Sequence, residues 1–411
     1  MGKQVLMPGA VSDRGQPMTL GVMGGGQLGR MFVQAAQAMG YFTAVLDPDP
    51  ASPAGLISHH HIQTAYDDPA GLAKLAQLCD AVTTEFENVP APALRELAKS
   101  RPVAPSADNV AVAQDRLLEK AHFIQCAPIS GVFPAPYAGI ETAEQLAAVG
   151  DELLPGILKT ARLGYDGKGQ IRVKNREELA AGWAQLGGVA CVLEKLMPLQ
   201  SECSVLVARG ADGQTVCFPV QANTHFEGIL AITEVFEGAV PAELAQRAQV
   251  STVAVANHLN YVGVLCVEYF VVDNGAGGSD LIVNEMAPRP HNSGHYTQNA
   301  CDVSQFEAQV RAVAGLPLNT PRQHSPSLMV NLLGDLWFDA NGVRATASEQ
   351  PVSPPWAEVL ALSGTHLHLY GKTSARKGRK MGHLNITGNT VAQVRETAGK
   401  ALALLGLPPL A

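Results

Sequence analysis

The strongest constraint on the fold is a regular alternation of short apolar runs with helix-like segments, which begins at Thr19. Residues 19–23 form an apolar run that predicts a buried strand, and residues 27–39 have the spacing of an amphipathic helix. The same two patterns repeat downstream, with strands expected at 41–46 and 81–86 and a helix at 69–78. Because alternating strands and helices form parallel sheets, the sequence predicts a parallel βαβαβ unit.

The pattern changes after about residue 155, where strand pairs with glycine-rich turns replace the alternation. A third unit opens after Pro321, with short strands and a last helix expected at 328–332, 365–370, 381–386 and 391–405. We therefore predict an α/β and α+β chain with a parallel N-terminal domain, a central domain with antiparallel sheets, and a small β-rich C-terminal domain. The expected boundaries are 1–17 for a flexible extension, then 18–112, 113–320 and 321–411.

Composition excludes several classes of protein. Lysine and arginine number 29 against 37 aspartate and glutamate, and this net charge of −8 argues against a nucleic-acid partner, because neutralising phosphates needs a basic surface. No apolar run approaches the ~18 residues of a membrane span, and residues 1–17 lack the apolar core of a signal peptide. The seven cysteines are widely spread without a C-x-x-C pair, which indicates reduced core residues. We expect a cytoplasmic protein with no membrane partner.

A glycine-rich turn at 24–29 follows the first strand and fits G-x-G-x-x-G, with Asp47 at the end of the next strand. In a dinucleotide-binding fold such glycines let the backbone approach a pyrophosphate at a helix N-terminus, and the acid holds a ribose. An NAD-dependent oxidoreductase is therefore one interpretation. The other is a tight strand-to-helix turn that packs closely or meets a different phosphate.

A second glycine-rich stretch, residues 164–170, lies between two expected strands and contains Lys168. Lys159 ends the strand that precedes it. Exposed N–H groups in such a loop can fold over a triphosphate, and two lysines can neutralise its charge. The alternative is a solvated β-hairpin without a ligand.

Two acids stand in strands that are otherwise apolar, Glu268 in one and Glu285, beside Asn284, in the next. A carboxylate in such a strand costs several kcal/mol when it is unpaired, so a partner is expected. Mg²⁺ bridged by both acids is one solution, with Asn284 as a third oxygen ligand, and an ion pair with a buried arginine is the other. Glu194 at a strand end and Glu202 after a short loop fit a linker that reads adenine and an acid that holds ribose.

In this order, behind a parallel βαβ domain, these features resemble the ATP-grasp superfamily. Four longer stretches are similar to one family within it, the N5-carboxyaminoimidazole ribonucleotide synthetases of purine biosynthesis. The stretches are residues 24–31, 164–170, 284–297 and 378–385. The resemblance covers about residues 19–386.

The resemblance implies a pre-ATP-grasp domain, an ATP-grasp domain and a C-terminal domain, usually in a homodimer. It implies a carbon–nitrogen ligase that converts ATP, bicarbonate and 5-aminoimidazole ribonucleotide into N5-carboxyaminoimidazole ribonucleotide, ADP and phosphate through carboxyphosphate. The cofactors would be ATP and Mg²⁺, without NAD or biotin. The first-domain glycines would then serve the substrate.

The resemblance also carries site residues onto this sequence. The ATP contacts that it implies are Arg116, Lys159, Gly164, Tyr165, Asp166, Gly167, Lys168, Gly169, Gln170, Glu194, Lys195, Leu196, Met197, Glu202, His225, Asn284 and Glu285. Glu268 and Glu285 would hold Mg²⁺. The residues expected on the ribonucleotide are Gly26, Gln27, Leu28, Asn292, Lys372 and Arg379. Asp166, Arg289 and His291 would be catalytic. We expect Asp166 to orient the amine or accept its proton, and the alternative is a turn-forming residue before Gly167.

Three other functions remain open from the sequence. A formate-dependent phosphoribosylglycinamide transformylase shares the first-domain turn and the acyl-phosphate chemistry, but residues 288–297 and 378–385 favour the carboxylating enzyme. The NAD-dependent oxidoreductase leaves the paired acids and the lysine loop unexplained. A non-catalytic nucleotide-binding protein is disfavoured because every charged position that the chemistry needs is present. The basic stretch 372–380 is either a phosphate site or a solvated face.

Overall fold

The computed structural model describes residues 5–164, 169–338 and 353–410. Its first unit is a four-stranded parallel sheet of strand order β3-β2-β1-β4, which confirms the prediction from the alternating pattern. The elements are β1 (Thr19–Met23), α1 (Gln27–Ala38), β2 (Phe42–Leu46), β3 (His60–Ile62), α2 (Pro69–Leu78), β4 (Ala81–Thr84), α3 (Ala91–Ala98) and α4 (Ala107–Ala113). Because β1 is a central strand, the glycine-rich turn that follows it lies at the middle of the carboxyl edge, where open parallel sheets bind ligands.

The second unit is a small antiparallel sheet of strand order β6-β9-β7-β8. The elements up to its last strand are α5 (Arg116–Ser130), β5 (Phe133–Pro134), β6 (Tyr137–Ile140), α6 (Ala143–Ala147), β7 (Gly156–Thr160), β8 (Gln170–Val173), α7 (Arg176–Gln185) and β9 (Cys191–Lys195). Helix α5 begins where the Asp115 carboxylate accepts the N–H groups of Leu117 and Leu118, and it ends at Gly131 in the left-handed conformation. The hairpin β7–β8 carries the expected lysine loop.

The third unit is a ten-stranded sheet of strand order β17-β18-β16-β13-β12-β10-β14-β15-β5, with β11 paired to β10. The elements that complete it are β10 (Leu199–Arg209), β11 (Thr215–Cys217), β12 (Gln221–Phe226), β13 (Ile229–Val235), α8 (Ala242–His258), β14 (Gly263–Asp273), β15 (Ser279–Ala287), α9 (Thr297–Ala300), α10 (Gln305–Ala314), β16 (Ser327–Leu333), α11 (Trp356–Leu360), β17 (Thr365–Leu369), β18 (Lys380–Thr387) and α12 (Val391–Leu404). These sheets confirm the predicted antiparallel central region.

The C-terminal strands continue the central sheet instead of forming a sheet of their own. Strand β16 pairs antiparallel with β13, from Ile232 opposite Val330 to Val235 opposite Ser327. The hairpin β12–β13 that provides this edge turns through Glu227 and Gly228, both with positive φ. The expected C-terminal unit is therefore continuous with the central one through main-chain hydrogen bonds, and the boundaries at residues 112 and 320 stay a prediction.

Residues 5–17 differ from the expected flexible extension. Leu6 is 4% exposed, and its N–H donates to the Ala314 carbonyl at 2.9 Å. Its own carbonyl accepts the Tyr41 hydroxyl at 2.5 Å. The segment is thus held against the first domain and the end of α10, because burying Leu6 in that apolar cluster outweighs the ordering of a few polar residues.

Helix α10 joins the first domain to the central sheet. Val310 and Val313 pack in one apolar cluster with Phe32 and Val33 of α1. On its other side, Gln309 donates to the Thr83 hydroxyl at 2.9 Å and accepts the N–H of Val264 on β14. The carboxyl edge of the parallel sheet is thereby fixed next to the start of β14. Within residues 5–164, 169–338 and 353–410, no helix has the length and apolarity needed to cross a membrane.

Candidate active site

A cavity of about 480 Å³ opens where the three units meet. Its walls come from the start of α1, the segment after β4, the start of α5, the facing strands β14 and β15, and the loop after β15. Charged and polar side chains dominate the lining, among them Gln27, Glu85, Glu87, Arg116, Glu119, Glu268, Glu285, Arg289, His291, Asn292 and Lys380. Seven of these eleven residues are site residues expected from the sequence, namely Gln27, Arg116, Glu268, Glu285, Arg289, His291 and Asn292.

Glu268 and Glu285 lie opposite each other on β14 and β15. A β-bulge follows this pair, with Asn284 as the extra residue, so the usual alternation of side chains is interrupted beside Glu285. The Asn284 amide oxygen is buried and has no hydrogen-bond partner among the described residues. Burial, together with the charge of Glu285, raises the pKa of Glu268 to about 8. Two adjacent carboxylates and an unpartnered amide oxygen fit a hard divalent cation such as Mg²⁺.

Arg116 connects the acids to the lysine loop. One guanidinium nitrogen lies 3.0 Å from Glu285 and another donates to the Gly164 carbonyl at 3.0 Å. Glu119, one turn later on α5, is 2% exposed and accepts the N–H of Met286 at 2.6 Å. Burial and the charge of Glu285 raise its pKa to about 8. The sequence analysis missed Glu119, although its spacing from Arg116 places both on one face of a helix.

Glu194 is 3% exposed and each of its oxygens lies 3.0 Å from a buried lysine, Lys159 on β7 and Lys120 on α5. Burial by itself would raise the pKa of Glu194, but the two ammonium groups outweigh it and lower the pKa to about 2. The carboxylate is therefore ionised and paired with two lysines within the protein, and the contact of Glu194 with ATP stays a prediction. Two lysines against one acid leave a formal surplus of one positive charge, although burial lowers the pKa of Lys120. The sequence analysis missed Lys120.

The expected linker lies between the two antiparallel sheets. Lys195 ends β9 and, with Leu196, is exposed, while Met197 precedes the start of β10. On β10 and its neighbour β12, Glu202 and His225 form an ion pair of 2.9 Å. Burial lowers the pKa of His225, but the hydrogen bond and the charge of Glu202 outweigh it, and the net shift is upward. Glu202 thus follows the linker along the chain, whereas its pairing with His225 was not predicted from the sequence.

The lysine loop is described only at its ends. The Gly169 carbonyl accepts the N–H of Thr160 at 2.9 Å, and Gln170 pairs with Lys159 across the hairpin. Gly169 has a φ of 70°, and a Cβ there would lie 2.8 Å from the Thr160 hydroxyl. Four predicted site residues, Tyr165, Asp166, Gly167 and Lys168, lie outside the described residues.

The first glycine-rich turn holds acids from its own domain. The N–H groups of Gly26 and Gly29 donate to the Glu85 carboxylate at 2.5 and 2.7 Å. Asp47 accepts the N–H of Gly25 at 2.6 Å and the hydroxyl of Tyr66 at 2.7 Å, and it is 8% exposed. The glycine N–H groups and the Asp47 carboxylate, on which NAD binding would depend, thus already form hydrogen bonds within the protein. The structure removes the support for a dinucleotide site here.

Lys372 brings the C-terminal strands to this turn. Its ammonium donates to the Gln27 side chain at 2.8 Å and to the Lys380 carbonyl at 2.7 Å. Burial, with the nearby charge of Arg379, lowers its pKa to about 8. Arg379 itself donates to the carbonyl and hydroxyl of Ser374. Of the two basic residues expected on the substrate phosphate, Lys372 therefore contacts Gln27 of the first domain, and the charge of Arg379 acts on Lys372.

The loop after β15 presents the remaining candidates. Arg289 makes a bidentate pair with Glu87, at 2.6 and 3.2 Å. Glu87 follows β4 and was missed because nothing local marks an acid whose partner lies far along the chain. Asn292 is 8% exposed, and neither of its amide atoms has a hydrogen-bond partner among the described residues. His291 contacts Glu268 at 3.1 Å through Nε2. Burial and the charge of Arg289 hold the pKa of His291 well below its usual value, so the ring is neutral.

Two antiparallel sheets joined by an exposed linker, one carrying the lysine loop and the other the paired acids, define an ATP-grasp protein. Known families match the chain in the same order along its length. An ATP-grasp domain matches residues 127–306, a ribonucleotide synthetase preATP-grasp domain matches 17–114, and a phosphoribosylaminoimidazole carboxylase C-terminal domain matches 327–397. These matches confirm the class expected from the sequence.

Individual relatives define the family within this class. The chain is 41% identical over 387 residues to the N5-carboxyaminoimidazole ribonucleotide synthase of Brucella melitensis biotype 1, covering 93% of this chain and 98% of the relative. It superposes on an N5-carboxyaminoimidazole ribonucleotide synthetase in complex with ADP with a TM-score of 0.85, 36% identity, and coverage of 98% and 99%. The Aspergillus clavatus N5-carboxyaminoimidazole synthase in complex with ADP and 5-aminoimidazole ribonucleotide superposes with a TM-score of 0.81 at 28% identity. The superposition covers 95% of this chain and 99% of that structure. The chain belongs to the N5-carboxyaminoimidazole ribonucleotide synthetase family.

Proposed function

We propose that this chain is an ATP-dependent ligase that carboxylates 5-aminoimidazole ribonucleotide with bicarbonate in purine nucleotide synthesis. The observation that carries the proposal is the meeting of Glu268 and Glu285 with the unpartnered amide of Asn292 and with Gln27 in one cavity. The named relatives act on, or are bound to, the same kinds of ligand. A phosphoryl-transfer site and a substrate site that share one cavity suit an enzyme that makes a short-lived acyl phosphate beside an amine.

The ATP side needs charge and position rather than a protein nucleophile, because bicarbonate becomes reactive once a phosphoryl group turns one oxygen into a leaving group. In this proposal Arg116 and Lys159 contact the phosphates, and Lys120 adds the surplus charge at Glu194. The main chain of 195–197 reads the base edge. Glu202, paired with His225, holds the ribose.

Mg²⁺ would be held by Glu268 and Glu285, with the oxygen of Asn284 as a further ligand. When bound, it neutralises the charge that develops on the transferred phosphoryl group. The cation would join the partners that the two acids already have within the protein, Arg116 for Glu285 and His291 for Glu268.

On the substrate side, Lys372 and Arg379 hold the 5′-phosphate, and Gly26, Gln27 and Leu28 contact the ribonucleotide. Asn292 hydrogen-bonds it through the amide that has no partner within the described protein. Arg289, fixed by Glu87, presents positive charge to bicarbonate. Asp166 orients the amine or accepts its proton. Full carboxylation activity in Asp166→Asn would refute that role.

The proposal also includes a homodimer and a cytoplasmic location, both supported by the family resemblance. Size-exclusion chromatography with light scattering tests the first. A mass near twice the 43.2 kDa of the chain is expected.

ADP release by the purified protein with Mg-ATP tests the reaction. We expect strong stimulation by 5-aminoimidazole ribonucleotide plus bicarbonate and none by glycinamide ribonucleotide plus formate. Stimulation by the second pair alone would assign the chain to the transformylase. ADP release that neither pair changes would contradict both.

A further inference from the structure

A buried chain of hydrogen bonds reaches Glu268 from the interior of the sheet. The His291 ring contacts Glu268 through Nε2 at 3.1 Å, and its Nδ1 lies 2.9 Å from the Ser293 hydroxyl. The Ser293 hydroxyl lies 2.8 Å from that of Ser204 on β10. Both serines are fully buried at 0% exposure, so each hydroxyl depends on these partners for its hydrogen bonds.

The donor-to-acceptor direction of this series of hydrogen bonds follows from a main-chain contact. The N–H of Ser293 donates to His291 Nδ1 at 3.3 Å, so Nδ1 is an acceptor. In a neutral imidazole the other nitrogen then carries the proton, and Nε2–H donates to Glu268. The Ser293 hydroxyl also gives its proton to Nδ1, which leaves its oxygen to accept from Ser204.

The chain continues away from the cavity in the same direction. Asn223 on β12 donates through its amide nitrogen to the Ser204 hydroxyl at 2.8 Å, and Thr233 on β13 donates to the Asn223 amide oxygen at 3.0 Å. Gln221 offers Ser204 a second acceptor at 3.0 Å. Because the proton of Ser293 is directed at His291, the contact between the two serine hydroxyls is a hydrogen bond only when Ser204 donates its single proton to Ser293. Every hydrogen bond from Thr233 onward therefore donates toward Glu268.

We propose that Ser293 and Ser204 are positioning residues that fix the tautomer of His291 with its proton on Nε2, so that the ring holds one oxygen of Glu268 in place. The other oxygen of Glu268 is thereby left for the cation of the proposed function, on which this last step rests. Groups that hydrogen-bond a metal-binding carboxylate orient it, and their loss typically weakens metal affinity or activity about 10–100-fold.

The direct test is the tautomer of His291 in the metal-free protein. Histidine-labelled protein is measured by long-range ¹H–¹⁵N correlation NMR, which distinguishes a proton on Nε2 from one on Nδ1, and the signal is assigned by its loss in His291→Gln. We expect a single Nε2–H tautomer in the unmodified chain and a mixture in Ser293→Ala, where Nδ1 keeps only the 3.3 Å main-chain contact. A proton on Nδ1 in the unmodified chain, or an unchanged spectrum in Ser293→Ala, would overturn the proposal.

Two further variants make the test specific. Ser204→Ala removes the donor to Ser293 without touching the loop, and it replaces Ser293→Ala if that variant does not fold. Thr252→Val is the matched control, because it removes an equally buried hydroxyl whose partners are Tyr269 and the Ala248 carbonyl. We expect a partial shift toward a mixture in Ser204→Ala, while Thr252→Val keeps the single tautomer. A shift of the same size in Thr252→Val would mean a general loss of packing and contradict the proposal.

The Mg²⁺ dependence of ADP release adds a readout at the site. We expect the Mg²⁺ concentration for half-maximal rate to rise about tenfold in Ser293→Ala and to stay unchanged in Thr252→Val. If the unmodified chain does not carboxylate its substrate while the tautomer result holds, the proposed function fails and the positioning of His291 stands. If carboxylation is normal but neither the tautomer nor the Mg²⁺ dependence responds to Ser293→Ala, the positioning role fails alone.

Discussion

Lys120 and Lys159 share the carboxylate of Glu194, so two ammonium groups face one negative charge inside the protein. A buried surplus of positive charge is costly until an anion arrives. In the proposed function, the phosphates of ATP would be that anion. Both carboxylate oxygens of Glu194, at the start of the expected adenine-reading linker, are paired with these lysines.

Replacing Lys120 with methionine tests this account. Since Glu194 keeps Lys159, no charge is left unpaired, and we expect the unfolding free energy of Lys120→Met to lie within about 1 kcal/mol of that of the unmodified chain. ATP affinity should fall about tenfold, or ~1.4 kcal/mol, because the phosphates lose one cation. Urea unfolding and ATP titration measure the two effects. Lys99→Met, at an exposed lysine paired with Glu96, should change neither. Unchanged ATP affinity in Lys120→Met would contradict the role.

Asn292 gives a second prediction. Its amide makes no hydrogen bond within the described protein, so Asn292→Leu removes buried polar atoms without breaking one, and stability should be equal or higher. The KM for 5-aminoimidazole ribonucleotide should rise about tenfold, equivalent to one hydrogen bond of ~1.4 kcal/mol. Asn385→Leu is the contrast: its amide donates to the His295 carbonyl and to Asn299, so it should lose about 1–3 kcal/mol of stability. A large stability loss in Asn292→Leu would show that the amide has an internal partner.

At the scale of elements, the hairpin β7–β8 depends on the conformation of Gly169. Its φ is 70°, and the Thr160 hydroxyl lies 2.8 Å from the position that a Cβ would take, so Gly169→Ala should destabilise the chain by about 1 kcal/mol or more. Gly399→Ala in α12, where a Cβ meets nothing within 4 Å, should stabilise it by about 0.5–1 kcal/mol. Denaturant unfolding of the two variants checks the opposite signs. Equal effects would refute the conformational argument.

Elements with a local signal were predictable from the sequence. The alternation after Thr19, the lysine hairpin and the strands that carry Glu268 and Glu285 are each marked by a pattern of a few residues. Strand β13 is not, because its pairing with β16 joins residues about a hundred positions apart and makes the C-terminal strands part of the central sheet.

The same reasoning applies to the site residues. Arg289 and His291 belong to a motif that resembles a known family, so the sequence marks them. Glu87, which pairs with Arg289, and Ser204, which contacts Ser293, acquire meaning only through contacts across the fold. A sequence pattern reports which residues could react, whereas their positioning is settled by tertiary pairing.

At the scale of the whole molecule, a stack of histidines connects the cavity to the C-terminal strands. His295, on the loop after β15, stacks on His383 of β18 at 4.5 Å between ring centroids, and His368 of β17 stacks on the other side at 4.5 Å. Burial and the neighbouring histidines hold the pKa values of His295 and His383 well below the usual range. The stack therefore packs as neutral rings.

Acid should loosen this connection. Below pH ~6.5 the unfolded chain binds protons at His295 and His383 while the folded chain does not, so stability falls with pH by about 1.4 kcal/mol per histidine per pH unit. Glu268, with its raised pKa, acts in the opposite direction over the same window. A variant therefore isolates the effect. Between pH 6.5 and 5.5, the unfolding free energy of His383→Phe should decrease less steeply than that of the unmodified chain, by the contribution of one histidine, and urea unfolding measures this difference. His324→Gln, at an exposed histidine, should retain the full slope, and equal slopes in both would contradict the account.

The carboxylate of Glu85 at the start of α1 has a consequence for how a ribonucleotide enters. A helix N-terminus ordinarily attracts phosphate, but here the Glu85 side chain already accepts the N–H groups of Gly26 and Gly29. Lys372 contacts the Gln27 side chain from the C-terminal strands. Under the proposed function, the phosphate of the ribonucleotide would therefore lie toward Lys372 and not at this helix N-terminus, so the two ends of the substrate would be distinguished before any base-specific contact is made.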